Sequence, residues 1–387
     1  MGVKPIARTI AQMPRSGIRE IMEQAAAHKN VLHLEVGEPD FPTPSHVLEA
    51  ATRAAADGFT KYTPNRGLPE VRHSMARKIA ERNGFEVDID QIVVTTGGIN
   101  AIAQALMVLC DPGDAILLPD PAWPNYEMMA AALDAEVARY PLLPEAGFLP
   151  DLEALDQLCR STPRAKVLLI NTPSNPTGAV FDPATVEGLV EVARRHDLYL
   201  ISDECYEDII FEGRHLSPGS LDDSGRVISA FTVSKSYAMT GWRIGYVAAS
   251  RELAAMISKL QSAVTACATA VSQKAAQAAI DGDQTSVVEM RESYRRRRDA
   301  AATLLDEAGL LVSRPHGAFY LLADISPTGL DGYEFCKRLI LEYGVAVAPG
   351  ETFGPGGHGK VRISLATKQV NLEEGTRRFA QAVRAWT

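Results

Sequence analysis

The sequence is poor in the features that mark several large functional classes. Its five cysteines, Cys110, Cys159, Cys205, Cys267 and Cys336, are odd in number, widely spaced and form no CxxC. That spacing argues against a disulfide framework or a thiolate metal site, and points to reduced thiols in a cytoplasmic chain. No HExxH or similar spacing links the 8 histidines, so no metal is expected. No GxGxxG turn opens a helix after a strand, which leaves nicotinamide binding without support. Lys and Arg number 39 against 48 Asp and Glu, a formal net charge of −9. Neither nucleic acid nor an anionic membrane is expected as a partner of such a chain. Long apolar runs are missing as well. The first twenty positions carry Lys4, Arg8, Arg15 and Arg19 without an apolar core, and read as neither a signal peptide nor a transmembrane segment.

What is present is enough material for a large core. Of 387 residues, 46% are hydrophobic and 22% charged, and this length suggests two packed regions. Short apolar runs end in small or polar residues and lead into helical patterns. Ile92 to Thr95 runs into Gly97 and Gly98 and then a helix-like stretch to Leu109. Lys166 to Ile170 runs into Asn171, Leu198 to Ser202 into Asp203, and Val227 to Phe231 into Thr232. Strands alternating with helices predict an α/β fold with a mostly parallel central sheet. A helix is predicted from about Pro183 to Arg195, with Asp182 as its cap. A second region, with a charged helix around Tyr294 to Arg298, begins near Glu289. The expected division is a large domain at 46–288 and a smaller α+β domain built from 1–45 and 289–387, with the N-terminal arm packed on the second region. Gly354 to Lys360 has phosphate-loop spacing, but Val361 replaces the required hydroxyl and a strand follows, so a flexible loop is expected. The basic run Arg295 to Arg298 reads as a solvated helix face.

In open parallel sheets, ligands sit beyond the carboxyl ends of the strands. There the runs place a Gly pair, an Asn, an Asp and a Ser-Lys pair. The stretch from Thr232 to Gly245, TVSKSYAMTGWRIG, resembles the pyridoxal-lysine signature of the class I/II, fold type I aminotransferases. Thr232 stands where that family usually has Ser or Gly. The resemblance extends in order along nearly the whole chain. It takes in Leu34 to Pro44 (LEVGEPDFPTP), Tyr62 to Arg72 (YTPNRGLPEVR), Asn175 to Gly178 (NPTG), Ser202 to Tyr206 (SDECY) and Arg362 to Ser364 (RIS). The spacing of Asn175, Asp203, Lys235, Arg243 and Arg362 is similar to that of the bacterial aspartate aminotransferase subgroup.

This resemblance implies pyridoxal 5′-phosphate as cofactor. Lys235 would hold it as a Schiff base and shuttle the proton, a task that suits a partly neutral lysine. Asp203 would face the pyridine nitrogen, while Asn175 and Tyr206 would donate to the ring oxygen. Gly98, Ile99, Thr232, Ser234 and Arg243 would gather around the phosphate. Trp123 would stack on the ring. Arg362 would grip the substrate carboxylate with its planar fork, beside the Gly37 backbone. Tyr62 would cross into the partner's site of a homodimer.

The activity implied is ping-pong transfer of an amino group between an L-amino acid and a 2-oxo acid, with aspartate and 2-oxoglutarate among the candidates. A C–S β-lyase on the same scaffold is the runner-up, and a noncatalytic binding protein the distant alternative. Ile99 stands where some of the aspartate enzymes carry a lysine for the second carboxylate. Arg66 is an alternative distal cation, or simply a surface ion pair.

Overall fold

The computed structural model describes residues 3–387. Its strands, in chain order, are β1 (Leu32–His33), β2 (Ile92–Thr95), β3 (Ala115–Asp120), β4 (Glu136–Leu143), β5 (Leu149–Pro150), β6 (Ala165–Asn171), β7 (Tyr199–Asp203), β8 (Val227–Thr232), β9 (Gly245–Ala248), β10 (Tyr320–Asp324), β11 (Val345–Ala346), β12 (Ala348–Pro349) and β13 (Lys360–Ser364). Eight of them form one sheet in the order β2-β9-β8-β7-β6-β3-β4-β5. Strands β4, β3, β6, β7 and β8 are mutually parallel. Strand β9 is inserted antiparallel between β8 and β2, and β5 pairs antiparallel outside β4.

The apolar runs are continuous because both faces of this sheet are covered. Successive residues feed opposite layers. Ile116, Leu118, Val167 and Leu169 pack towards the helices Gly98–Leu109 and Arg251–Val264. Leu117, Leu168, Ile170 and Leu200 pack towards Leu152–Ser161 and Pro183–Arg195. The strands agree with the apolar runs to within one residue at each end. The Pro183–Arg195 helix is capped as expected, Asp182 Oδ1 accepting from the Thr185 N–H at 2.8 Å.

A second, smaller layer pairs β10, β13 and β12 antiparallel and β1 with β11 parallel. The helices Gly17–Ala26, Thr285–Glu307, Gly332–Tyr343 and Gln369–Trp386 close over it. Ile21, Phe319, Phe335, Leu339 and Phe379 are among its buried core. Thr285–Glu307 is one unbroken 23-residue helix, so position 288/289 falls at the end of its first turn. Among the described residues, no helix is long and apolar enough to cross a membrane. All five cysteines are free.

Three expectations need correction. The arm does not pack on the second region throughout. Helix Gly17–Ala26 does, but helix Arg8–Gln12 lies against Asn125–Ala132, and Arg8 pairs with Asp134 at 3.0 Å. The segment Gly354 to Lys360 is not a free loop. It forms a short 3-10 turn, Pro355–Gly357, pinned where the Gly356 N–H donates to Asp120 Oδ1 at 2.8 Å. The basic run is solvated only in part. Arg297 and Arg298 are buried, because a run of four spans more than a full helical turn and these two fall within the wide inward face, while Arg296 is left exposed. Arg297 holds Asp40 bidentately at 2.7 and 2.9 Å, and Arg298 donates to the Pro315 carbonyl at 2.6 Å.

The Arg297–Asp40 pair fixes the turn after β1 to the long helix. Asp40→Ala strands a buried guanidinium, a loss of about 3 kcal/mol, whereas Arg297→Met leaves a carboxylate that water can reach. We expect the urea midpoint to fall further for Asp40→Ala than for Arg297→Met. The reverse order would show that the pair does not set the energetics of this turn.

Candidate active site

The carboxyl ends of β6, β7 and β8 open into a cavity of about 570 Å³, closed from the other side by residues of β10, β13 and the N-terminal segment. Twelve of the thirteen residues singled out from the sequence line it: Gly37, Gly98, Ile99, Trp123, Asn175 and Asp203, and with them Tyr206, Thr232, Ser234, Lys235, Arg243 and Arg362. The exception is Tyr62, which is 91% exposed and lies away from its own chain's cavity. Arg66 is also absent from the lining. It donates to the Asp90 carbonyl at 2.6 Å and lies 3.5 Å from the Asp90 carboxylate, so it behaves as a surface ion pair.

Lys235 follows β8, and its Nζ donates to the Gly37 carbonyl at 2.7 Å. Desolvation lowers its pKa, and the cations Arg362 and Arg243 push the same way against Cys205 and Glu38. Gly37 has no room for a side chain, since a Cβ there would lie 2.3 Å from Tyr320 Oη. The Asp203 carboxyl at the end of β7 is pushed up by burial, opposed by hydrogen bonds from Tyr126 and the Cys205 N–H. Tyr126 Oη donates to Asp203 Oδ2 at 2.6 Å. Tyr206 Oη sits 2.9 Å from Tyr320 Oη, and burial keeps the Tyr206 phenol protonated far above its ordinary range.

Arg362, on β13, is 2% exposed. Its Nη1 donates to Asn175 Oδ1 at 2.9 Å and its Nη2 to the Glu35 carbonyl at 2.6 Å, while Nε has no partner. Its guanidinium lies 4.3 Å from the Tyr320 ring centre and 5.0 Å from that of Phe353. Among the described residues, no carboxylate forms an ion pair with Arg362. A buried cation so placed lacks its counter-charge, and a ligand carboxylate would supply it.

A second group of donors is suited to a phosphate. Helix Gly98–Leu109 begins at the cavity, and its first N–H groups have no acceptor within the helix. Arg243 lies over Gly97, whose φ of +84° favours glycine. The Arg243 Nη1 donates to the Thr240 carbonyl at 2.8 Å. The Thr232 hydroxyl is not wholly free, with acceptors at the Ile244 carbonyl (2.8 Å) and Ser234 Oγ (2.9 Å). Ser234 is therefore the freer hydroxyl of the two.

The roles of several site residues were not read from the sequence. Tyr126 and Tyr320 resemble core aromatics, and only their hydroxyl contacts reveal them. Asn171 closes β6, donates to the Asp203 carbonyl at 3.0 Å and accepts from the Asn175 N–H at 2.7 Å, so it sets the loop that carries Asn175. Its position at a strand end was a usable signal. Ser16, Ile18, Arg19 and Met22, from the N-terminal segment, edge the mouth, and nothing in their spacing announced it.

Known proteins match this arrangement over most of its length. The family model for aminotransferase class I and II covers residues 29–379. The aspartate/prephenate aminotransferase of Thermus thermophilus is 42% identical over 357 residues, 92% of this chain and 91% of that one. The arginine–pyruvate transaminase of Pseudomonas aeruginosa is 37% identical over 91% of this chain and 90% of its own. A solved structure of Thermus thermophilus aspartate aminotransferase with maleate superposes with a TM-score of 0.93 at 39% identity, covering 98% of this chain and 100% of the other. On this sequence match, the shared fold and the cavity it encloses, the chain belongs to the class I and II aminotransferases.

Proposed function

We propose that this chain uses pyridoxal 5′-phosphate to move an amino group between an L-amino acid and a 2-oxo acid. The observation that carries the reading is the company Lys235 keeps. One cavity holds a lysine of lowered pKa, a buried carboxyl and a buried arginine with no counter-ion.

The donor set fits the cofactor's polar ends. Asp203 would meet the ring nitrogen, a cation that relieves the cost of its burial. Asn175 and Tyr206 would donate to the ring oxygen. The helix start at Gly98 and Ile99, with Thr232, Ser234 and Arg243, would hold the phosphate. Trp123 would cover one ring face. Lys235 would hold the aldehyde carbon. When bound, the group supplies an electron sink for the pair left when the substrate loses its α-proton.

The protein's own steps follow from geometry and charge. Arg362 binds the substrate α-carboxylate, and Asn175, already on its Nη1, fixes the orientation of that fork. Lys235 Nζ, freed once the substrate's amino group replaces it on the aldehyde carbon, would take the proton from the substrate Cα. Burial lowers its pKa, which favours the neutral amine this requires. Tyr206 remains a donor throughout because its phenol stays protonated.

The same proposal includes the two-part division at 46–288 and at 1–45 with 289–387. It is supported by the core around Phe319, Phe335 and Phe379, built mostly from 1–45 and 289–387, with Tyr206 and Ile209 reaching into it from the larger part. It puts Lys235 in one part and Arg362 in the other. A homodimer is proposed because Tyr62 is exposed and a second copy offers it a phosphate. Five free, scattered thiols fit a reducing cytoplasm.

Three measurements check this. Lys235→Ala should lower amino-group transfer by at least about 10²-fold, assayed with a panel of amino donors against 2-oxoglutarate. Pyruvate and ammonia from a β-substituted donor, without transfer, would instead identify a lyase. Mixing Tyr62→Ala with Lys235→Ala should give more activity than the two variants apart, because a hybrid dimer rebuilds one intact site. Simple additivity would remove Tyr62 from the partner's site. The third is a pH test on the apoprotein. Folding lowers the Lys235 pKa, so between the folded and ordinary lysine values the unfolded chain binds more protons, and this group's contribution to stability rises with pH. The difference in melting temperature between Lys235→Met and wild type should therefore narrow as pH rises through that window. A constant difference would contradict the depressed pKa.

A further inference from the structure

Four cationic side chains line the cavity: Lys235, Arg243, Arg362 and Arg19. The first three have tasks in the proposed reaction. Arg19 has none. Among the described residues its guanidinium has no carboxylate within ion-pair reach. Its neighbour Glu20 is drawn away to Lys337, 3.3 Å distant.

The helix Gly17–Ala26 is held so that Arg19 stays at the mouth. Gly17, Ile21 and Ala25 recur at a spacing of four and form its buried face. Gly17 is wedged against Tyr333 Oη and Thr352 Oγ1, which would lie 2.2 and 2.3 Å from any Cβ. With that face docked, Ile18, Arg19 and Met22 are left at the edge of the cavity. Ile99 faces the same space and is 37% exposed, while Met22 is 38% exposed. The mouth therefore sets the apolar side chains of Ile18, Met22 and Ile99 beside Arg19, a cation without an ion-pair partner.

We propose that Arg19 is a specificity-determining residue that binds the second carboxylate of a dicarboxylic amino or oxo acid; the proposal rests on the transaminase reading above. Arg362 takes the α-carboxylate at the buried end. The substrate's methylenes run along Ile18, Met22 and Ile99, and the distal carboxylate reaches Arg19. The guanidinium fork suits a carboxylate. Because Arg19 is exposed, it stays hydrated when a neutral substrate binds, so such substrates are accepted without an unpaired buried charge. The same exposure makes its attraction sensitive to salt, unlike that of Arg362.

The test uses the holoenzyme. Arg19→Ala should lower the ratio of kcat/KM for aspartate or glutamate over leucine by about tenfold, the equivalent of one charge-assisted hydrogen bond. Arg19→Lys should restore part of that ratio. Calorimetry with butanedioate and butanoate should show the wild type's preference for the dianion, a preference that shrinks with added salt and largely disappears in Arg19→Ala. An unchanged ratio, or an equal fall for both donor classes, would overturn the assignment. If the wild type transfers no amino group from any donor, the transaminase reading fails, while the calorimetric preference still decides the role of Arg19.

Discussion

A guanidinium buried without a counter-ion is the constraint on which the rest of this site depends. Removing a charge from water is costly, and the protein compensates Arg362 only in part, with the Glu35 carbonyl, the Asn175 amide and two aromatic faces. The arginine sits on β13, the middle strand of its small sheet, where it cannot swing out to solvent. Its unmet demand selects an anion. The hydrogen bond to Asn175 ties that demand to the other half of the site, because Asn175 is placed by Asn171 at the end of β6.

Burial acts on Lys235 and Asp203 in the same direction, towards neutrality, although their charges are opposite. In the lysine this favours a basic amine. In the aspartate it creates a preference for any group that brings a positive charge. The low-dielectric environment that penalises each charge alone also strengthens the interactions that a suitable ligand would complete. Tyr126 and the Cys205 N–H keep the Asp203 oxygens oriented in the meantime.

Much of this was legible in the sequence because parallel strands buried on both faces write themselves as apolar runs, and their ends locate the candidate site. Asp203 and Lys235 could be placed that way, and Asn175, Arg243 and Arg362 by resemblance. What could not be read were the facts of orientation. Arg297 and Arg298 belong to a basic run that looks solvated, yet the turn of the helix carries both inward to Asp40 and Pro315. Tyr126 and Tyr320 look like packing residues until their hydroxyls are seen. The Thr232 hydroxyl, counted as available, is shared with Ile244 and Ser234. Arg19 lies in a stretch without a motif around it, and its place at the mouth comes from how Gly17 seats the helix.

Strand β1 has its partner far away in sequence. Leu32 pairs with Val345 and His33 with Ala346, and the Ser364 N–H reaches back to the Leu34 carbonyl at 2.7 Å. The first ordered strand therefore waits for nearly the whole chain to be made before its backbone groups are satisfied. Loop closure over such a separation is slow and entropically expensive. During synthesis the large sheet can close early, whereas the segment bearing Gly37 stays unpaired until the final strands leave the ribosome. The proposed carboxylate grip is thus among the last features to form, and a chain truncated before β13 would keep its lysine but have neither Arg362 nor the strand that holds Leu34.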